Sequence, residues 1–134
     1  MFLTRGYEFS ASHRLHSHAL SDAENQRVFG KCNNPNGHGH NYVVEITVKG
    51  GIDARTGTIA NLSEIDALVE ESVIRPFDHK NLNLDLPDFH DENPTAENIA
   101  RAIWRRLEGR LTRGALHKVR LIETPRNAVE YWGD

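Results

Sequence analysis

The sequence contains a single cysteine among 134 residues, and this scarcity excludes an internal disulfide. A chain without an internal disulfide suits a reducing compartment, so we expect a cytoplasmic protein. No run of about 18 apolar residues is present, and the first residues lack the charged and then apolar layout of a signal peptide. The sequence therefore predicts neither a membrane span nor a secretory leader.

An excess of basic residues is also missing. The chain has 16 Lys and Arg against 19 Asp and Glu, which gives a net charge of −3 and a pI near 6.2. This balance leaves no basic surface for nucleic acid, so we expect no nucleic-acid partner. The charged fraction of 26% and the hydrophobic fraction of 38% are typical of a soluble globular protein. The length predicts one domain over residues 1–134.

Alternating apolar and polar residues predict two strands that both carry histidines. Residues 2–13 place His13 on the same parity as their apolar side chains, and residues 42–49 repeat the alternation. His38 and His40 share the apolar parity of the second strand, provided that the backbone is already extended there. The two strands therefore present His13 and the His38/His40 pair on their core-facing sides, which predicts a three-histidine cluster.

The rest of the chain predicts two helices and two further strands. Apolar residues at helical spacing favour a helix over 64–74, with Ser63 as N-cap and Pro76 as terminator. A second helix begins after Thr95 and ends at Gly109. The shorter predictions are a long loop over 15–29, a short strand over 58–62 and C-terminal strands around 118–123 and 128–132. This β-β-α-α-β-β order predicts an α+β fold, a four-stranded antiparallel sheet with two helices on one face.

The histidine cluster has the composition of a zinc site. On extended backbone, His38 and His40 point to the same side, with Cα atoms about 6–7 Å apart, and Gly39 between them has no side chain to obstruct an ion. Three imidazoles with an open fourth position are typical of catalytic zinc, whereas structural zinc sites close with four protein ligands. His16 or His18 could serve as a competing ligand, although their polar surroundings favour surface positions.

Cys32 and the Asp78-His79 pair are candidates for proton transfer. A lone cysteine is often an inert small side chain, but a nearby cation or metal would lower its pKa and favour the thiolate. Adjacent residues usually point apart, so Asp78-His79 could be a solvated turn. If the two side chains act together, Asp78 would orient and stabilise a histidine that passes protons.

Three further polar residues are candidates for ligand binding. Glu123 shares the parity of the apolar residues of its strand, and a charge on a core-facing position is expensive unless it is paired or faces a ligand. A buried ion pair or a frayed strand end would also explain it. Thr95 and Glu97 have structural roles as a helix cap and a first-turn acid, and both roles could coexist with ligand contact.

Four segments resemble the 6-pyruvoyl-tetrahydropterin synthase family, and the similarity extends over nearly the whole chain. They are Phe9–Leu15, Gly30–Tyr42, Asp78–Leu82 and Pro94–Asn98. The Cys-x5-His-x-His spacing, together with the distant Asp-His pair, is highly specific. The resemblance implies the tunnelling fold, in which small α+β subunits assemble into barrels, commonly as a hexamer made of two trimers.

The resemblance also implies a set of roles. It implies that His13, His38 and His40 bind Zn²⁺. It implies that Cys32, Asp78 and His79 transfer protons, with Asp78 and His79 supplied by a neighbouring subunit. It also implies that Glu123 anchors the pterin ring, helped by Thr95 and Glu97. The implied reaction converts 7,8-dihydroneopterin triphosphate to 6-pyruvoyl-tetrahydropterin and eliminates triphosphate. Its redox change is internal, which agrees with the absence of glycine-rich nucleotide-binding patterns.

The nearest alternative within the family is 6-carboxy-tetrahydropterin synthase of queuosine biosynthesis, which uses the same substrate and also releases acetaldehyde. Its members typically resemble Cys-x3-His-Gly-His and carry Asp at the position of Asn61. Here the spacing from Cys32 to His38 is two residues longer, and Asn61-Leu62 resembles the pyruvoyl type. A third relative has glutamate in place of the cysteine, and Cys32 argues against that assignment.

Two hypotheses from other classes remain open at this point. The chain could be a pterin- or purine-binding module without chemistry, but Cys32 and the Asp78-His79 pair argue against a protein that has lost its activity. It could instead be a structural zinc protein, which would need a fourth protein ligand that the sequence does not offer.

Overall fold

The computed structural model describes residues 1–134 and contains five strands and five α-helices. The strands are β1 (Phe2–His13), β2 (His38–Lys49), β3 (Lys80–Asn81), β4 (Ala115–Thr124) and β5 (Asn127–Tyr131). The helices are α1 (Asp22–Phe29), α2 (Leu62–Val69), α3 (Arg75–Phe77), α4 (Leu82–Asp85) and α5 (Ala96–Leu107). Short 3-10 turns at Gly30–Asn33 and Pro87–Phe89 and a π turn at Glu70–Ile74 complete the chain. No helix has the length and apolar character that crossing a bilayer requires.

The five strands form one mixed sheet in the order β3-β1-β2-β4-β5. The long strands β1, β2, β4 and β5 pair antiparallel, and β3 adds a two-residue parallel edge to β1. The α+β class is therefore confirmed, but the predicted four-stranded antiparallel sheet is wrong by one strand. Two residues are too short to give an alternation that sequence periodicity could detect.

The helical content also exceeds the two predicted helices. The loop predicted over 15–29 contains α1, which a capping box of Ser21 and Glu24 begins. The helix predicted over 64–74 starts earlier, because the Asn61 side chain rather than Ser63 accepts the first free N–H groups. Pro76 does not end it, since proline is tolerated in the first turn of α3 after the π turn. Residues 58–62 form no strand.

The hydrophobic core lies between the helices and the sheet face that carries the odd residues of β1. Phe9 stacks on Tyr42 with ring centroids 4.9 Å apart, and Phe77 meets Phe9 edge-on at 5.5 Å. Helix α5 packs on β4 and β5 and buries Ile99 and Ile103 completely. Because His13 shares the parity of Phe9, the strand carries it to the end of this same face, where it is also fully buried.

The ion pair between Asp88 and Arg106 is the most enclosed carboxylate–guanidinium pair of the protein, with side chains 16% and 25% exposed. The hydrogen bonds that the Arg106 guanidinium donates to the Asp88 carboxylate hold the pKa of Asp88 below its ordinary value of 3.8. We expect Asp88→Asn to lower the free energy of unfolding at pH 7 by about 2 kcal/mol. The contribution is present above the unfolded-state pKa and disappears as the pH falls through the lower folded-state pKa.

Urea unfolding of the wild type and Asp88→Asn between pH 7 and pH 3 measures this effect. Glu70→Gln is the matched control, because Glu70 is exposed and has no ion-pair partner. A difference in unfolding free energy that does not shrink toward pH 3 would contradict the assignment of the effect to the Asp88 carboxylate.

Candidate metal centre and active site

Three histidines meet at one end of the sheet. In the antiparallel register, His13 of β1 lies opposite His38 of β2, and His40 lies opposite Ala11. The ring centroids are 4.7 to 5.2 Å apart, and one nitrogen from each ring lies within 4.8 Å of the others. The structure thus brings together the three histidines that strand parity predicted.

The hydrogen bonds of these rings fit a bound metal ion. His13 Nδ1 donates to the Pro94 carbonyl at 2.7 Å, which fixes the tautomer and turns Nε2 toward His38 Nε2, 3.1 Å away. His38 Nδ1 and His40 Nε2 are buried and have no hydrogen-bond partner. Buried ring nitrogens without partners are costly, and a metal ion among them would satisfy a lone pair from each ring.

Burial favours the neutral, metal-binding form of the His13 and His38 imidazoles. Desolvation lowers the pKa of His13 to about 4, and neighbouring His38 adds to the effect. Burial and the nearby His40 likewise lower the pKa of His38. Metal ligation requires the neutral imidazole, so both rings are prepared for an ion at neutral pH.

Gly37 holds the turn that delivers His38 against His13. Its φ of 75° lies in the left-handed region, and a Cβ there would sit 3.1 Å from the His13 carbonyl oxygen. We expect Gly37→Ala to weaken metal binding about tenfold and to destabilise the fold by about 1 kcal/mol or more. Metal binding weakens because the added Cβ would displace the backbone of His13.

Gly57→Ala is the matched control for this prediction. Gly57 has a similar φ of 70°, but a Cβ there would meet nothing within 4 Å. The control carries the same conformational cost without touching His13. Competition with a chelator gives the metal affinity, and urea unfolding gives the stability. Equal metal affinity in the two variants would contradict the proposed packing effect.

Glu123 and Cys32 lie beside the histidine cluster. Glu123 Oε2 is 3.8 Å from His13 Nε2, and its other oxygen accepts a hydrogen bond from Asn127. Cys32 is a half-buried free thiol on the 3-10 turn that precedes β2. Burial and then the Glu123 carboxylate raise the pKa of Cys32. The protein's own groups therefore favour the thiol, and the predicted lowering requires a cation at the cluster.

The Asp78 and His79 side chains form a pair, whereas adjacent side chains usually point apart. Asp78 Oδ2 is 2.9 Å from His79 Nδ1, and His79 has a φ of 59°, which is uncommon outside glycine. Ser10 of β1 fixes the turn: its N–H donates to Asp78 Oδ1, and its carbonyl accepts from the His79 N–H. The Ser10 and His79 hydrogen bonds lower the pKa of Asp78. The result is an anionic Asp78 that orients an exposed imidazole.

The remaining predicted residues are placed differently. Thr95 follows Pro94, the residue that holds His13, and caps α5 by accepting a hydrogen bond from the Asn98 N–H. Glu97 is exposed and lines a separate groove of α5 and β5. Within one chain, no hydrogen bond joins Cys32 to the Asp78-His79 pair. Glu97 is therefore not part of the site that the three histidines form within one chain.

Sequence reasoning missed the residues that support this site. The Pro94 carbonyl holds His13, the Ser10 backbone holds Asp78, and the fully buried Tyr42 brings its hydroxyl to 3.4 Å from His13 Nδ1. Backbone contacts leave no trace in residue identity, so no signal existed for the first two. For Tyr42, a hydroxyl two residues after His40 on the same strand face was an available signal.

Several known proteins are similar to this chain over nearly its whole length. The sequence model of the 6-pyruvoyl tetrahydropterin synthase family matches residues 2–134. The chain is 52% identical to the 6-pyruvoyl tetrahydrobiopterin synthase of Homo sapiens, over 98% of this chain and 91% of that protein. It is 50% identical to that of Drosophila melanogaster, over 98% and 79%. The structure of the Caenorhabditis elegans 6-pyruvoyl tetrahydropterin synthase superimposes with a TM-score of 0.95 at 39% identity, covering 100% of this chain and 96% of that one. This chain belongs to the 6-pyruvoyl tetrahydropterin synthase family.

Proposed function

We propose that this protein is a zinc-dependent 6-pyruvoyl-tetrahydropterin synthase, a lyase that eliminates triphosphate from 7,8-dihydroneopterin triphosphate. The observation that carries the proposal is the cluster of one buried and two half-buried histidines with Cys32 and Glu123 beside it, in a chain about half identical to proteins of that name. The pterin ring gains the two hydrogens that its side chain loses, so the reaction needs no external oxidant or reductant.

Zinc is the ion that the donor set supports best. Three neutral imidazoles from His13, His38 and His40 are typical zinc ligands, and they leave a coordination position for substrate. When bound there, zinc would supply Lewis acidity to the hydroxyl groups of the substrate side chain. Metal analysis of the purified protein tests the identity of the ion.

The chain's own residues divide the remaining work. Glu123 accepts hydrogen bonds from the N–H groups of the pterin ring, and Thr95 adds a contact to that ring. Glu97 lies in a separate groove of the same chain, so it would contact a pterin ring bound at the site of a neighbouring subunit. The Cys32 thiolate removes a proton from a side-chain carbon, and His79 returns a proton while Asp78 stabilises its charged form. The half-buried setting of Cys32 limits competition from water.

A homo-oligomer completes the site in this proposal. Cys32 and the Asp78-His79 pair are not joined within a chain, and the sheet ends in two edges, β3 and β5, that can pair with another copy. We propose a hexamer made of two trimers, in which a neighbour supplies Asp78 and His79. Light scattering should give six times the chain mass of 15.2 kDa. Activity should return when inactive Cys32→Ala and His79→Ala subunits are refolded together.

A mass-spectrometric product assay tests the activity itself. Zinc-loaded protein is incubated with 7,8-dihydroneopterin triphosphate, and the products are identified by mass. A 6-pyruvoyl-tetrahydropterin mass supports the proposal. A 6-carboxy-tetrahydropterin mass together with acetaldehyde would instead place the chain with the queuosine-pathway enzymes. Absence of turnover by folded, zinc-loaded protein would contradict both.

Asp78→Asn should lower kcat by about 10²-fold. Asparagine keeps an oxygen that can accept from the Ser10 N–H, but its amide group would donate toward His79 Nδ1 and reverse the ring tautomer. Steady-state kinetics measure the loss, and an unchanged urea midpoint excludes unfolding. Asp22→Asn, an exposed acid in the first turn of α1, is the control. Wild-type kcat in Asp78→Asn would remove Asp78 from the proton-transfer set.

A further inference from the structure

A cavity of about 650 Å³ lies against the segments that hold His13. Its wall includes Pro94, whose carbonyl accepts the His13 hydrogen bond, and Gly37, which packs on the His13 backbone. Its volume is within the range of about 300–1,000 Å³ that small-molecule sites occupy. The cavity therefore adjoins the metal cluster, yet none of the proposed catalytic side chains lines it.

The wall formed by residues 14–19 has no regular secondary structure over most of its length, but it is held firmly. Four asparagine side chains make hydrogen bonds to its backbone: Asn25 at Ser17, Asn33 at Leu15, Asn83 at Arg14 and Asn93 at His16. Asn25 is fully buried and also binds the carbonyls of Leu20 and Ser21. A segment fixed in this way presents its side chains in a prepared arrangement, as a binding site requires.

Arg14 offers an unpaired positive charge to the cavity. Its Nε donates to the Asn33 carbonyl at 3.0 Å, which fixes the guanidinium group. No carboxylate lies within ion-pair distance of it, in contrast to Arg5, Arg105 and Arg106. Its two terminal nitrogens are free of protein hydrogen bonds, and they have the fork geometry that suits a phosphate group.

His16 offers a hydrogen-bond donor without needing to be charged. The Asn33 amide nitrogen donates to the Leu15 carbonyl at 2.7 Å, which identifies that atom as the NH₂ group. The same nitrogen is 3.0 Å from His16 Nδ1, so Nδ1 accepts and the proton resides on Nε2. His16 lines the cavity, and His18 and His90 add further ring nitrogens to the same wall.

The negative charges in the wall oppose an anion only weakly. Glu92 is paired with Arg105 at 3.1 Å, so its charge is balanced. Asp91 is the only other carboxylate of the wall. An anion entering the cavity would therefore meet Arg14, the His16 donor and two further imidazoles against a single unpaired acid.

We propose that this cavity binds the triphosphate group of the pterin substrate, with Arg14 and His16 as its contacts. The proposal rests on the proposed function, because it assigns the leaving group of that reaction to a site beside the metal cluster. It accounts for a prepared, hydrogen-bond-donating cavity that adjoins His13 and contains none of the proposed proton-transfer residues.

Two measurements test the proposal in the wild type, Arg14→Gln, His16→Phe and Lys49→Gln. Lys49 is a cation at the opposite end of β2 and serves as the control. The first measurement is steady-state kinetics with 7,8-dihydroneopterin triphosphate, with unphosphorylated 7,8-dihydroneopterin as a competing ligand. The second is calorimetric titration with inorganic tripolyphosphate. It is repeated in a His38→Ala background, because tripolyphosphate also chelates metal ions.

We expect Arg14→Gln to raise the KM for the triphosphate substrate and the Kd for tripolyphosphate about tenfold, and His16→Phe to raise both about threefold. The kcat and the inhibition constant of unphosphorylated dihydroneopterin should stay within about twofold of the wild type. Tripolyphosphate binding should persist in the His38→Ala background. Lys49→Gln should change none of these values.

The outcomes separate this proposal from the proposed function. The Arg14→Gln and His16→Phe variants could turn over the substrate with the KM and the tripolyphosphate Kd of the wild type. That result would overturn the cavity assignment, and the synthase activity would still be supported. Tripolyphosphate binding that disappears in His38→Ala would likewise overturn it, because the anion would then bind at the metal. Arg14-dependent tripolyphosphate binding without any pterin turnover would support the anion site and contradict the synthase activity.

Discussion

Replacing His38 with alanine is expected to abolish metal binding and to lower turnover by about 10³-fold or more. His38 Nε2 lies 3.1 Å from His13 Nε2, and its Nδ1 is buried without a hydrogen-bond partner. The alanine variant removes one of three ligands from a cluster that has no fourth histidine within reach. Two imidazoles bind a divalent ion much more weakly than three, so both the ion and its Lewis acidity are lost.

The fold should survive this substitution. His38 is the first residue of β2 and is only partly buried, whereas the apolar residues that anchor the strand, such as Val44 and Ile46, lie further along it. Metal content by mass spectrometry, turnover and the urea midpoint are measured together. His117→Ala is the control, because its ring stacks on Phe2 rather than joining the cluster. Full metal occupancy in His38→Ala would refute the proposed ligand set.

Cys32→Ala is expected to lower kcat by about 10³-fold while the metal content stays that of the wild type. Cys32 belongs to the 3-10 turn beside the cluster, and the nearby Glu123 carboxylate contributes to raising the pKa of its thiol. Removing the thiol takes away the base of the proposed proton transfer but no metal ligand. Because the side chain is small and half-buried, the urea midpoint should change little.

The combination of lost turnover and retained metal distinguishes this result from that of His38→Ala. Cys32→Ser is a second informative variant, since a hydroxyl fills the same space but ionises far less readily than a thiol. We expect it to be about as inactive as the alanine variant. Turnover within tenfold of the wild type in either variant would mean that Cys32 is not the base.

Periodicity along single elements was sufficient to predict that the three histidines share one face of the sheet. Alternation over residues 2–13 predicted that His13 shares the face of Phe9, and β1 places both side chains in the buried layer. The same argument predicted the parity of His38 and His40, because β2 is already extended at its first residue. Successive side chains of a strand point to opposite faces of the sheet because of backbone geometry alone. The prediction of the face therefore does not depend on what packs against the strand.

The sequence predicted a helix correctly where a capping residue is followed by a stripe of apolar residues. It failed to predict a helix where only the capping residues are present. Thr95 caps α5 as predicted, and α5 ends at Leu107, just before Gly109. The capping box of Ser21 and Glu24 was present in the sequence, but α1 is largely polar and lacks the stripe that would have identified it. Local chemistry can begin such a helix, while its persistence depends on packing that the sequence pattern does not reveal.

Only the tertiary structure decided how the polar side chains meet. The Pro94 carbonyl that orients His13 lies 81 residues away in sequence, and the Ser10 backbone that pairs Asp78 with His79 lies 68 residues from that turn. The left-handed φ of His79 occurs together with the hydrogen bond that its N–H donates to the Ser10 carbonyl of β1. The position of each histidine in its strand determined the face that it occupies, because successive side chains of an extended backbone alternate between the two faces. Contacts between distant loops and backbone atoms depend on the packed fold, and there the sequence alone gave no prediction.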